Sequence, residues 1–175
     1  MFATTTLNVA SDDDLSMVEL DYADRHLSML LLIPQSPGGL EAVEANLTSA
    51  HVDELLANAV SEETALQLPR LELRAELPLE ALLRKLGVTS AFDPATADFS
   101  GMLAGGGKDL YLSRARHQAF VQVDEHGTKA AAATAVVGSR HAAGSLIAVD
   151  HPFAFAIRDK TTGAMLFLGR IVDPR

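Results

Sequence analysis

Hydrophobic and polar positions follow several distinct patterns along the chain, and each pattern predicts an element. Residues 2–10 are rich in Thr, Leu and Val and are typical of a strand, and residues 15–22 predict a second strand. Residues 27–33 form a continuous apolar run that ends at Pro34, which predicts a strand buried on both faces. Near the C-terminus, apolar runs at 153–157 and 165–172 flank a turn at 159–163, and this spacing predicts a hairpin.

Three stretches have helical spacing instead. Apolar residues recur every three or four positions over 40–47 and over 52–59, and Thr48 or Ser49 is placed to cap the second helix. A third short helix is predicted between Pro78 and Gly87. Between these helices, two alternating stretches differ in phase on either side of Pro69, so we expect a bulge or a change of sheet there.

A long strand is predicted over residues 110–123, and the stretch that follows it has no single local preference. His117, Ala119, Val121 and Val123 share one face of that strand, and a lone histidine on an apolar face is usually a hydrogen-bonded core residue. After Gly127 come four alanines, which favour a helix, and then β-branched residues, which favour a strand. This segment could therefore be a loop in one state and a strand in another.

The sequence of this segment resembles the hinge of inhibitory serpins, a family of serine protease inhibitors. Residues 125–134 read Glu-His-Gly-Thr-Lys-Ala-Ala-Ala-Ala-Thr, although His126 and Lys129 stand where the family often has acidic residues. Further stretches match the family in the same order along the chain. They are residues 20–22, 27–34, 86–94, 97–102, 117–121, 150–153 and 167–174.

The resemblance implies an α+β fold with mostly antiparallel sheets, a few short helices and a long reactive-centre loop at about residues 126–145. All matching segments belong to the second half of the family fold. We therefore expect residues 1–175 to form a single partial serpin domain, the C-terminal half, in which His117 is a buried sheet histidine. The hinge residues implied by the resemblance are Glu125, Gly127, Thr128, Ala130, Ala131, Ala132, Ala133 and Thr134.

The function implied by the resemblance is suicide inhibition of a trypsin-like or subtilisin-like serine protease. The protease would cleave the loop, and the cleaved loop would insert into a sheet as a new strand. Counted in the spacing that is commonest in the family, from the hinge and back from Pro152, the resemblance implies a scissile bond between His141 and Ala142. A trypsin-like protease would prefer to cleave after Arg140, so both bonds remain candidates.

Composition excludes several other classes of function. The net charge of −9 offers no basic stripe for nucleic acid, and the chain has no cysteine for disulfides or thiolate catalysis. No stretch is long and apolar enough to span a membrane. We find no catalytic motif of an enzyme and no metal-ligand spacing, and we predict no cofactor. The family resemblance implies an extracellular location.

The missing first half leaves other hypotheses open. Alone, the chain would be cleaved as a substrate, because insertion needs strands on both sides of a gap. A second hypothesis is an interaction module that needs a partner chain, such as its own N-terminal half, to complete its sheets. A third is a gene remnant without function. In the C-terminal signature, Ala154 replaces a larger apolar residue, which weakens one packing site.

Overall fold

The computed structural model describes residues 2–123 and 145–174, which divide into two compact units. The first unit comprises residues 1–71 and 123–175, and the second comprises residues 72–122. In chain order the elements are β1 (Phe2–Ser11), β2 (Leu15–Asp21), β3 (Leu27–Pro34), α1 (Leu40–Asn46), α2 (Ser49–Asn58), β4 (Val60–Gln67), β5 (Leu71–Pro78), α3 (Leu79–Lys85), β6 (Arg116–Val123), β7 (Ser145–Ala148), β8 (Phe153–Asp159) and β9 (Met165–Ile171).

The first unit is organised on a seven-stranded sheet in the order β7-β4-β1-β2-β3-β8-β9. Every neighbouring pair is antiparallel except β4 and β7, which are parallel. On β3, Leu30 lies between Glu19 and Ala156, whereas Leu31 lies between Val18 and Phe155 on the other face. Both leucines are fully buried, which explains why this strand is apolar at consecutive positions.

Helices α1 and α2 cover one face of the sheet. Leu40 and Val43 of α1, with Val52 and Leu55 of α2, are buried in one apolar cluster with side chains of β1, β2, β3 and β8. Thr48 caps α2, because its hydroxyl accepts a hydrogen bond from the His51 backbone N–H at 3.2 Å. Such a cap typically stabilises a helix by about 1 kcal/mol.

A buried polar cluster interrupts this apolar face at Glu19, whose exposed fraction is 7%. Its carboxylate accepts hydrogen bonds from the Asn8 amide at 3.0 Å and the Ser28 hydroxyl at 2.8 Å. The Lys160 ammonium lies 3.7 Å from the same carboxylate and 2.5 Å from that of Asp21. Because the partners come from β1, β3 and the turn after β8, the cluster links strands that are distant in sequence.

The sheet of the first unit must be strongly bent. Four residues, 149–152, join β7 at one edge to β8, which lies five strands away in the sheet order. Five strand spacings in a flat sheet would be about 24 Å. The connection can reach only about 18 Å even when fully extended. The chain can therefore cross only because the sheet coils and brings the ends of β4 and β3 close together.

The second unit contains most of β5 and β6, which form a two-stranded sheet, together with α3 and two short 3₁₀ turns at Ser90–Phe92 and Ser100–Met102. No residue of α3 is buried, and Leu82 and Leu86 are 50% and 71% exposed. The apolar face of this helix, which the sequence predicts to face a core, is therefore largely uncovered in this chain.

Two expectations from the sequence concern the beginnings of β5 and β6. The change of sheet expected at Pro69 is confirmed, since β4 belongs to the large sheet and β5 to the small one. The long strand predicted from residue 110 is wrong in its first part, because β6 begins only at Arg116. Before it, the Leu112 N–H bonds the Ala91 carbonyl and the Ala115 carbonyl accepts from the Leu79 N–H, so these groups are not free for a strand ladder.

Candidate functional site

The candidate site is the segment of residues 124–144, which joins β6 to β7. The predicted hinge, Glu125 to Thr134, and the predicted scissile-bond residues Arg140, His141 and Ala142 all lie outside the described residues. What the structure describes are the two strands that hold the ends of the segment. These strands are β6, which ends at Val123, and β7, which begins at Ser145.

Strand β6 enters the segment from a small sheet in which β5 is its only described partner. The two strands are joined by side-chain pairs as well. The Arg74 guanidinium lies over the Phe120 ring, 4.9 Å from its centroid, and the Arg116 guanidinium lies 2.5 Å from the Glu76 carboxylate. Both pairs are exposed, so each contributes at most about 1 kcal/mol. Among the described strands, one edge of β6 has no neighbour, and it could accept a further strand.

His117 lies on β6 as predicted, but its side chain is exposed. The expected burial of this histidine is therefore wrong for this chain. The physical reason is that the described sheet has two strands only, so few side chains are available to cover its faces. Val123, at the end of the same strand, is 5% exposed, and burial on β6 is thus confined to the residue next to the segment.

Strand β7 receives the other end of the segment at Ser145 and runs parallel to β4. The Ser145 hydroxyl donates to the Glu62 carboxylate at 2.8 Å and lies 3.3 Å from the hydroxyl of Thr64, which is fully buried. These contacts fix the first residue of β7 on the sheet. The sequence did not indicate Glu62 and Thr64 as partners of Ser145, because the local pattern of a strand does not show which distant strand will lie beside it.

The connection from β7 to β8 is fixed by His151. Its Nε2 lies 2.9 Å from the Pro34 carbonyl oxygen, and its Nδ1 lies 2.9 Å from the Asp150 carboxylate. Since both ring nitrogens face acceptors, the doubly protonated imidazolium is favoured. The hydrogen bond to Asp150, helped by the one to Pro34, raises the pKa of His151 above its usual 6.5 despite partial burial. Beside it, the Val149 N–H bonds the Gln67 carbonyl at 2.8 Å.

Within residues 2–123 and 145–174, no three side chains of His, Asp or Glu type lie close enough to hold a metal ion. None of the described helices is long and apolar enough to cross a membrane. In the part of the chain that the structure describes, β6 precedes the connecting segment and β7 follows it.

Comparison with known proteins identifies the family. The model of the serpin family, described as serine protease inhibitors, matches residues 1–174. The chain belongs to the serpin family. Serpin B8 of Bos taurus is 42% identical over 162 residues, which cover 90% of this chain and 43% of that protein. An uncharacterised serpin-like protein of Thermococcus kodakarensis is 36% identical over 169 residues, which cover 94% of this chain and 38% of that protein.

The fold comparison agrees with this assignment. Uncleaved ovalbumin superposes with a TM-score of 0.83 at 28% identity over 99% of this chain and 44% of the ovalbumin chain. The predicted α+β serpin fold is thereby confirmed. This serpin chain spans less than half the length of the relatives that it matches.

Proposed function

We propose that this chain is the protease-facing part of a serpin domain and that residues 124–144 are its reactive-centre loop. Membership of a family described as serine protease inhibitors supports an inhibitory function. The single observation that most favours the loop mechanism is the unoccupied edge of β6 among the described strands. The hinge begins directly after β6, so an inserted hinge would be a natural neighbour of that strand.

The proposed mechanism starts with attack by the protease serine on a peptide bond near Arg140, His141 and Ala142. The acyl-enzyme forms as it would with a substrate. The freed hinge, Gly127 to Thr134, then enters the sheet beside β6 and takes the attached protease with it. A new strand of about a dozen residues gains ~0.5–1.5 kcal/mol per hydrogen bond, so on the order of 10 kcal/mol becomes available to distort the protease.

The chain alone is expected to be cleaved without trapping the protease. The sheet that would receive the hinge has two described strands, β5 and β6, and insertion needs a strand on the far side of the gap as well. The exposed leucines of α3 indicate the same incompleteness. More than half of the length of each matched relative has no counterpart in this chain, and that part could provide the missing strands.

Limited proteolysis tests both parts of this proposal. Trypsin and subtilisin are added at low ratio, and the first fragments are analysed by denaturing gel and mass spectrometry. We expect the first cut within residues 140–142 and no SDS-stable complex. Arg140→Ala should remove the first tryptic cut and leave cleavage by subtilisin, whereas Arg114→Ala, at an exposed loop arginine, should change neither.

Two outcomes would contradict the proposal. A first cut elsewhere, for example at Arg114, would refute the loop assignment. A covalent complex with either protease would show that the chain traps its target unaided, and the incompleteness argument would then be wrong.

A second candidate function is a sheet-completing interaction module. It is favoured by the apolar side chains of β9, since Met165, Leu166, Phe167 and Leu168 are 42–70% exposed. Consecutive exposed apolar residues on an edge strand are a template for association. Size-exclusion chromatography at micromolar concentration should show oligomers or, with a partner chain, a defined complex. A well-folded monomer that binds no partner would refute this function.

A further inference from the structure

The charge of the chain is distributed very unevenly between its two units. Residues 1–69 contain twelve Asp or Glu and a single Lys or Arg, which is Arg25. The second unit, residues 72–122, contains six acidic and six basic side chains and is therefore neutral. The formal net charge of −9 thus belongs entirely to the first unit. A unit with this charge produces a negative field that extends beyond its surface.

Within the first unit, the positive charges lie away from β7 and β4 in the order of the sheet. The described strands β1, β2, β3, β4 and β7 contain no Lys or Arg. After β8, Lys160 pairs with Asp21 at 2.5 Å, and on β9 the Arg170 guanidinium lies 3.0 Å from the Glu44 carboxylate. These two pairs neutralise acidic side chains of β2 and α1, not those of β4.

Acidic side chains of β4 border the start of β7. The two strands are parallel and Ser145 lies opposite Thr64, so β4 extends four residues past the first residue of β7. Those four residues are all exposed, and they include Glu62 and Glu63. Just after β7, the side chain of Asp150 is 77% exposed. The negative field is therefore present on both sides of β7 along the chain.

The candidate scissile bonds cannot be far from this surface. Residues 140–142 precede Ser145 by only three to five positions. Since a residue spans at most about 3.6 Å, they lie within roughly 18 Å of Ser145 along any path of the chain. The screening length of salt water is about 30 Å at 10 mM and about 8 Å at 150 mM. At low salt, a protease that approaches these bonds therefore enters the field of the first unit.

We propose that the negative field of the first unit selects cationic serine proteases as partners of the reactive-centre loop. The field accelerates the encounter with a protease of positive surface charge, and it needs no pocket and no contact with a particular side chain. It leaves unchanged which residue the protease prefers before the cleaved bond. This inference rests on the proposed inhibitory function and specifies the charge of the partner.

The probes are the cationic and the anionic form of pancreatic trypsin, since both cleave after Arg but their net charges are opposite. The substrates are the whole chain and a peptide of residues 136–145 with blocked ends, which contains the Arg140–His141 bond and no acidic side chain. Mass spectrometry gives kcat/KM for this bond at pH 8 in 10 mM, 150 mM and 1 M salt. The charge selectivity is the cationic-to-anionic ratio of kcat/KM for the chain, divided by the same ratio for the peptide.

We expect a charge selectivity of about 10 or more in 10 mM salt. It should fall to about 1 in 1 M salt, where the screening length is about 3 Å. Glu63→Lys should lower the selectivity about threefold in 10 mM salt, because it changes the local charge by two units at a distance of about 10 Å in water.

Glu41→Lys is the matched control. It makes the same change of charge at an exposed position of α1, a helix that contacts β3 and β8. It should lower the selectivity less than Glu63→Lys in 10 mM salt and leave it unchanged in 150 mM salt. The comparison of salt concentrations uses the unaltered chain, so a folding defect in either variant would not affect the main test.

The contrary outcomes separate this inference from the proposed function. A charge selectivity near 1 in 10 mM salt, or a preference for anionic trypsin, would overturn the inference and leave the loop assignment standing, because the loop is still cleaved. A first cut outside residues 140–142 would overturn both. A selectivity that persists in 1 M salt would show a direct contact in place of a field. Equal effects of Glu63→Lys and Glu41→Lys would overturn the part assigned to β4.

Discussion

Gly169 of β9 faces Phe155 of β8 across the strand pair, and this contact leaves no space for a side chain. A Cβ added at Gly169 would lie 2.7 Å from two carbons of the Phe155 ring. Ordinary contacts between carbon atoms are no closer than about 3.5 Å. Gly169→Ala therefore requires the ring or the strand to move by nearly an ångström.

The loss of stability depends on how far the Phe155 ring and strand β9 can move apart. Phe155 is 5% exposed, and β8 is held between β3 and β9, so the ring cannot turn away into solvent. Overpacking of this kind costs about 1–3 kcal/mol. The lower conformational entropy of unfolded alanine returns about 0.5–1 kcal/mol. We expect a net loss of about 1–2 kcal/mol, or a Tm lower by roughly 2–8 °C.

Urea unfolding followed by circular dichroism measures this loss. Gly38→Ala is the matched control, because an added Cβ there meets nothing within 4 Å and the backbone φ is not positive. Gly38→Ala should leave the free energy of unfolding unchanged or raise it slightly, whereas Gly169→Ala should lower it. Phe155→Leu combined with Gly169→Ala should recover part of the loss, with a coupling energy of at least about 0.5 kcal/mol.

Equal unfolding midpoints for the Gly169 and Gly38 variants would refute this argument. So would simple additivity in the double variant, since it would mean that the ring and the new methyl group do not meet.

Three further predictions concern other parts of the first unit. The raised pKa of His151 means that its contribution to stability is present below about pH 6.5 and is lost as the pH rises through the higher folded-state value. His151→Gln should flatten this part of the stability–pH profile, and an unchanged profile would contradict it. Glu19→Ala should lower the free energy of unfolding by about 2–3 kcal/mol, and Ser28→Ala by about 1 kcal/mol, because only the first removes the charged acceptor of several donors. Equal losses for the two variants in urea unfolding would contradict this. Ala154→Val should stabilise the chain by about 1 kcal/mol by filling part of an apolar depression that Leu47, Ala154 and Leu168 line, and a lower Tm would contradict this.

Sequence patterns predicted those parts of the fold in which local periodicity and burial coincide. The apolar run of β3 reflects burial on two faces, and the change of phase at Pro69 marks a real change of sheet. The contact between Ser145 and Glu62 was not predictable in this way, because the two residues are 83 positions apart and meet only through the topology. The burial of His117 was predicted from a complete sheet, whereas the described strands of this sheet are β5 and β6 alone.

The position of β8 determines what a cut in the connecting segment would do to the molecule. After a cut, the C-terminal piece stays bound to the N-terminal piece because β8 pairs with β3, from Asp159 opposite Leu27 to Ala154 opposite Leu32. Strand β7 of the same piece is bound at a second place, on β4. A nicked chain should therefore migrate as one species on a native gel and separate into two pieces only in denaturant. Hydrolysis of the loop would thus pass unnoticed by any method that measures only the size of the folded protein.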